Sequence, residues 1–120
     1  MSEIPVPLIN YIHLIKERRS PYYDIVEHLM KEMEMHYMSK GQGAEAVYTI
    51  NPRVLQEEIE KKMKDERLTT VNICRTILAM LYGAQLNEEK DFFVTTTSSG
   101  RRNYHIKVSN RTLNSMSKLL

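Results

Sequence analysis

A chain of 120 residues with 42% apolar and 27% charged side chains has the balance of one folded globular domain, which excludes a disordered or fibrous polymer and leaves no room for a second independent core. Its single cysteine, Cys74, excludes an intramolecular disulfide; no apolar run approaches the ~20 residues that span a bilayer, and the first residues lack the pattern of a secretory leader, so the cytoplasm is the expected compartment. The net charge of +2 conceals an asymmetry, since residues 1–66 hold nine Lys or Arg against twelve Asp or Glu while residues 67–120 hold eight against three, and a basic C-terminal half points to a polyanionic partner.

Ile4-Pro5-Val6-Pro7 is held extended by its prolines. Leu8 to Arg19 then reads as a helix whose Leu8, Ile9, Tyr11, Ile12, Leu14 and Ile15 cover most of its circumference. Ser20-Pro21, a cap followed by a first-turn proline, opens a second helix striped by Tyr22, Val26, Leu29 and Met33 and ending near Tyr37 to Ser39. Gly41-Gln42-Gly43 links it to a short β-prone segment, Val47 to Ile50. Asn51-Pro52 repeats the cap-then-proline signal for a third helix, striped by Val54, Leu55, Ile59 and Met63 and reaching about Lys64. Thr69 or Thr70 caps a fourth helix that runs to Gly83 as its C-cap candidate. Asp91 to Thr97 and Tyr104 to Val108 read as strands on either side of a turn-forming stretch, which gives a hairpin with Arg101 and Arg102 at its tip. From Asn110 onward, Leu113, Met116 and Leu120 fit a short amphipathic helix or a fraying tail.

From Tyr22 to Val108 this order of helix, strand, helix, turn, helix and basic-tipped hairpin resembles the winged helix-turn-helix family, in particular its small archaeal, viral and plasmid regulators. The resemblance implies an α+β fold in three parts: an N-terminal arm and helix over 1–20, a winged helix-turn-helix domain over 21–108, and a C-terminal tail or short helix over 109–120. It also implies a recognition helix from Thr70 to Tyr82 in the major groove and a wing that reaches phosphates or the minor groove. The expected function is sequence-specific binding of double-stranded DNA in transcription regulation, without catalysis or a cofactor. Two other uses of such a fold are a DNA-coating or partition-type adaptor and a module for protein–protein contacts only.

At 100° per residue, Val71, Ile73, Cys74, Ile77, Leu78, Met80 and Leu81 fall on one half of the fourth helix, and Thr69, Asn72, Arg75, Thr76 and Ala79 on the other. Arg pairs with guanine, Asn with adenine and Thr with a base edge or methyl, so Thr69, Thr70, Asn72, Arg75 and Thr76 are the expected reading residues. Arg101, Arg102, Asn103 and Lys107 are the expected contacts from the hairpin. The plainer readings are a solvated helix face and an edge hairpin kept soluble by charge. On the third helix, Glu57, Glu58 and Glu60 oppose phosphate contacts, whereas Lys61, Lys62 and Lys64 favour them.

Because residues 22–108 supply the elements of one core, the greasy N-terminal helix needs another surface. A homodimer through Leu8, Tyr11, Ile12 and Ile15 is expected, with folding back onto its own domain as the alternative. His13, His28, His36 and His105 show no paired-ligand spacing, so no metal site is expected. The Gly41-Gln42-Gly43 link lacks the lysine of a phosphate loop.

Overall fold

Local chemistry sets where each helix begins. The computed structural model describes residues 4–40, 46–63 and 68–120; the Gly41-Gln42-Gly43 link, Lys64 and the side chains of Lys62 and Met63 lie outside the described residues. Helix α1 (Val6–Lys16) has proline in its first turn and stops where Glu17 becomes extended, three residues short of the expected Arg19. A tight turn there, with the Ser20 amide donating to Glu17 O at 2.9 Å, carries Ser20 into the capping position of α2 (Pro21–Lys40), where Ser20 Oγ accepts from the Tyr22 amide at 3.0 Å. Asn51 Oδ1 accepts from the Arg53 and Val54 amides at 3.0 and 3.2 Å to start α3 (Pro52–Met63). Thr69, rather than Thr70, caps α4 (Thr70–Gly83) by accepting from the Asn72 amide. A reciprocal capping box between Ser109 and Thr112 makes the last segment a helix, α5 (Asn110–Leu119), instead of a tail.

Three antiparallel strands, β1 (Ala46–Ile50), β2 (Phe92–Thr96) and β3 (Arg102–Val108), form one sheet in the order β1-β3-β2. The register runs Ala46↔Val108 to Ile50↔Tyr104 on one side of β3 and Phe92↔Ile106 to Thr96↔Arg102 on the other. Period-two alternation turns Ile50, Phe92, Tyr104, Ile106 and Val108 into the core with Ile25, Leu29, Ile73, Ile77 and Met80 of the helices. On the outer face, His105 bridges the hydroxyls of Thr49 and Thr95 at 2.8 and 2.7 Å, and Phe93 stacks on its ring. The result, among the described residues, is an α+β fold of five helices and a three-stranded antiparallel sheet.

The foot of the β2–β3 hairpin is tied to α5. Asp91 is 1% exposed; its Oδ2 accepts from the Asn87 amide at 2.8 Å and its Oδ1 pairs with the Arg111 guanidinium. A buried carboxylate is tolerable because both oxygens have donors.

The N-terminal helix departs from the expected dimer surface. It lies on α4 and α2 of its own chain, where Leu8 and Ile15 are buried and Tyr11 and Ile12 are half-buried. Leu8 and Ile15 therefore have no surface left for a partner. The flank of α4 that receives α1 is the row Asn72, Thr76, Ala79 and Gly83, spaced 4, 3 and 4 residues apart along one side of the helix. Tyr11 donates to Asn72 Oδ1 at 2.7 Å, and a Cβ placed on Gly83 would stand 3.3 Å from Ile12 and 3.1 Å from Leu119. Gly83 thus serves close approach. The left-handed residue that ends α4 is Gln85 (φ 60°), with the Leu86 amide reaching back to Leu81 O at 3.0 Å.

Enlarging this row should push α1 off. Ala79→Leu is expected to destabilise the fold by about 1–3 kcal/mol through overpacking, whereas Val71→Leu on the exposed flank should stay within about 0.5 kcal/mol. Urea unfolding midpoints check this, and equal effects at the two positions would contradict the packing described.

Candidate nucleic-acid interface

The capped starts of α3 and α4 face the hairpin tip across a cleft of about 540 Å³. Asn51, Pro52, Arg53 and Gln56 line it from α3, Thr70 from α4, and Gly100, Arg101 and Arg102 from the hairpin. Gln56 fixes the two helix starts relative to each other, since its amide donates to Leu68 O at 3.3 Å and the Thr70 hydroxyl donates to Gln56 Oε1. The hairpin tip is equally constrained: the Thr97 amide donates to Arg101 O at 2.8 Å, Thr97 Oγ1 accepts from the Arg101 amide at 3.1 Å, and Gly100 takes φ +82°, a conformation that suits glycine.

Arg53, Arg101 and Arg102 are all exposed, and among the described residues none of them pairs with a carboxylate. No acidic side chain among the described residues lines the cleft. Three permanent cations thus meet the positive ends of two helix dipoles, an arrangement suited to the oxygens of a phosphodiester.

Of the residues expected from sequence, Thr70, Arg101 and Arg102 meet in this cleft, and Thr69 at the cap of α4 and Arg75 on its second turn lie nearby, both exposed. The rest are placed otherwise. Thr76 is 0% exposed, with its hydroxyl donating to Asn72 O at 2.7 Å, and Asn72 is half-buried under Tyr11. Both are withdrawn because α1 covers their flank. Val71, expected inside, is 57% exposed, since the buried arc of α4 is rotated toward its small residues. Asn103 and Lys107 point to the outer face of the sheet, opposite to Arg102. Asn103 Oδ1 is buried there without a partner, and Lys107 donates to Glu89 O at 3.0 Å near the hairpin foot.

Arg53 and Gln56 are the residues that sequence reasoning missed. Asn51-Pro52 marks the α3 start in the sequence, and the fold then sets that start, with position 53, beside the hairpin tip. On the same helix Glu58 lies 3.7 Å from His28 of α2, and Glu57, Glu60 and Lys61 are exposed outside the cleft. No helix among the described residues is long and apolar enough to cross a membrane. A scan of the chain against protein-family models, curated proteins and solved structures finds no match.

Behind Arg102 stands Tyr104, fully buried. Burial pushes its hydroxyl up to about 12, with Cys74 adding to the rise and Arg102 opposing it. The folded pKa is above the unfolded value near 10, so the neutral phenol stabilises the fold fully below pH 10, and that contribution falls as pH rises through 12. In an ultraviolet titration one of the seven tyrosines should ionise last, near pH 12, and Tyr104→Phe should remove that step. Loss of a step near pH 10 instead would mean that Tyr104 is open to solvent.

Proposed function

We propose that the chain is a winged helix-turn-helix protein that binds double-stranded DNA and regulates transcription by occupying its site. The observation that carries this reading is the cleft in which Arg53, Arg101 and Arg102 converge on the starts of α3 and α4, with no acidic side chain among the described residues in its lining. The order of α2, β1, α3, α4 and the β2–β3 hairpin is compatible with the order expected of that family.

A duplex strand laid along the cleft would give one or more phosphates to the three guanidinium groups and to the Thr70 hydroxyl. Arg75, one turn further along α4 and exposed, then reaches toward base edges, where a bidentate contact to guanine is its best use. With Asn72 and Thr76 covered, base contacts fall to Thr69, Thr70 and Arg75, so phosphate contacts carry most of the affinity. That same covering favours a second reading, a DNA-coating adaptor of modest sequence preference. The ratio of affinities for a selected and a scrambled duplex separates the two.

Removing one cation that neutralises a phosphate flattens the dependence of log affinity on log salt by about 0.9. Arg53→Ala combined with Arg101→Ala should therefore flatten the slope by about 2 on selected and scrambled duplexes alike. Fluorescence anisotropy across a salt series checks this, and an unchanged slope would remove the cleft from the interface.

A further inference from the structure

One flank of α4 enters the core and a second receives α1; the third faces the β2–β3 hairpin across a groove of about 710 Å³. Val71, Leu78 and Tyr82 of α4, Val94 of β2, and Pro5 and Pro7 at the start of α1 make its walls apolar. Charge is confined to the ends. The start of α4 shares the cleft with Arg102, so Arg75 and Arg102 stand at the hairpin-tip end of the groove. Glu88 stands at the foot, beside Tyr82 and bridged to Phe92.

The floor holds an unmet polar group. Tyr104 is 0% exposed, and its hydroxyl has no hydrogen-bond partner of normal geometry, although Cys74 and Arg102 are close enough to influence it. Buried hydroxyls are as a rule satisfied, and this one has only Cys74 and Arg102 beside it, so an anionic group drawn to Arg102 would bring the acceptor it lacks. The volume lies within the range of about 300–1,000 Å³ usual for small-molecule sites.

We propose that this groove binds a small amphipathic carboxylate, with its apolar body along Val71, Leu78, Tyr82 and Val94 and its carboxylate held by Arg102, Arg75 and the Tyr104 hydroxyl. Glu88 sets the direction by repelling the anionic end from the foot. Arg102 belongs to both the groove and the cleft, so a bound carboxylate competes with a phosphate for it. Only that competition rests on the DNA-binding reading; the carboxylate site itself does not.

Octanoate, with octanol as its uncharged control, tests the proposal in NMR titrations of the full chain without DNA. Shifts are expected at Leu78, Val94 and Tyr104, with octanoate binding roughly tenfold tighter than octanol because a charge-assisted pair adds to the apolar contact. Arg102→Gln should abolish most of that difference. Tyr104→Phe, which removes only the oxygen, should weaken octanoate roughly threefold to tenfold and leave octanol unchanged. Equal affinities for acid and alcohol, or shifts confined to another face, overturn the proposal. So do shifts at the same residues that grow with protein concentration alone, which would put a second copy of the chain in the groove. If octanoate fails to bind while duplex DNA binds, the groove assignment falls and the DNA reading stands; if octanoate binds and DNA does not, the groove stands without it.

Discussion

The packing of α1 against the small flank of α4 decides which side of α4 meets solvent, and the rest of the surface chemistry depends on it. Asn72, Thr76, Ala79 and Gly83 give a shallow row into which Tyr11, Ile12 and their neighbours settle, and Gly83 is tight enough that any Cβ would press on Ile12 and Leu119. Burying Leu8 and Ile15 in this contact is worth about 1.5–3 kcal/mol apiece as area removed from water. That gain needs small partners, because a larger residue in the row would hold the helices apart. With this flank closed, α4 shows solvent only its first turn and the strip from Val71 to Tyr82 that borders the groove.

The cleft is built from elements that hold their cations in place before any ligand arrives. Asn51 and Thr69 fix two helix starts, Gln56 links them, and the Thr97–Arg101 turn with its left-handed Gly100 aims the hairpin arginines. At the other end of the hairpin, the paired and buried Asp91 fastens β2 to α5 through Arg111. A site held this way gives up little freedom on binding, which favours affinity for an extended anion such as a nucleic-acid backbone.

The features legible in the sequence were those with local causes. Ser20-Pro21, Asn51-Pro52 and Thr69 announce helix starts through cap chemistry, and alternation over Tyr104 to Val108 gives β3 and its inward face. The two hairpin arginines were legible for the same reason, since a turn rich in Ser and Gly must project its neighbours. What escaped was set by contacts distant in sequence. Thr76, Asn72 and Ala79 look like a polar face on a helical wheel, yet small polar residues are also what a closely packed neighbouring helix requires. The greasy α1 looked like a surface for a second subunit because nothing local says that α4 offers it a seat. Lys107 and Asn103 share a strand with Arg102, but strand alternation sends them to the opposite face. Arg53 became visible only when folding brought the α3 start beside a hairpin nearly fifty residues away.

Two surfaces therefore share α4: a cationic cleft at its start and an apolar groove along its free flank, joined at Arg102. The central claim is that duplex DNA seats on the cleft. Amide NMR mapping of the chain during titration with a short duplex tests it most directly. The changes should centre on Arg53, Thr70, Arg75, Gly100 and Arg101, with Thr76 and the outer sheet residues Thr49 and His105 unmoved. Changes centred instead on α5 or on the outer face of the sheet, with the cleft silent, would contradict it.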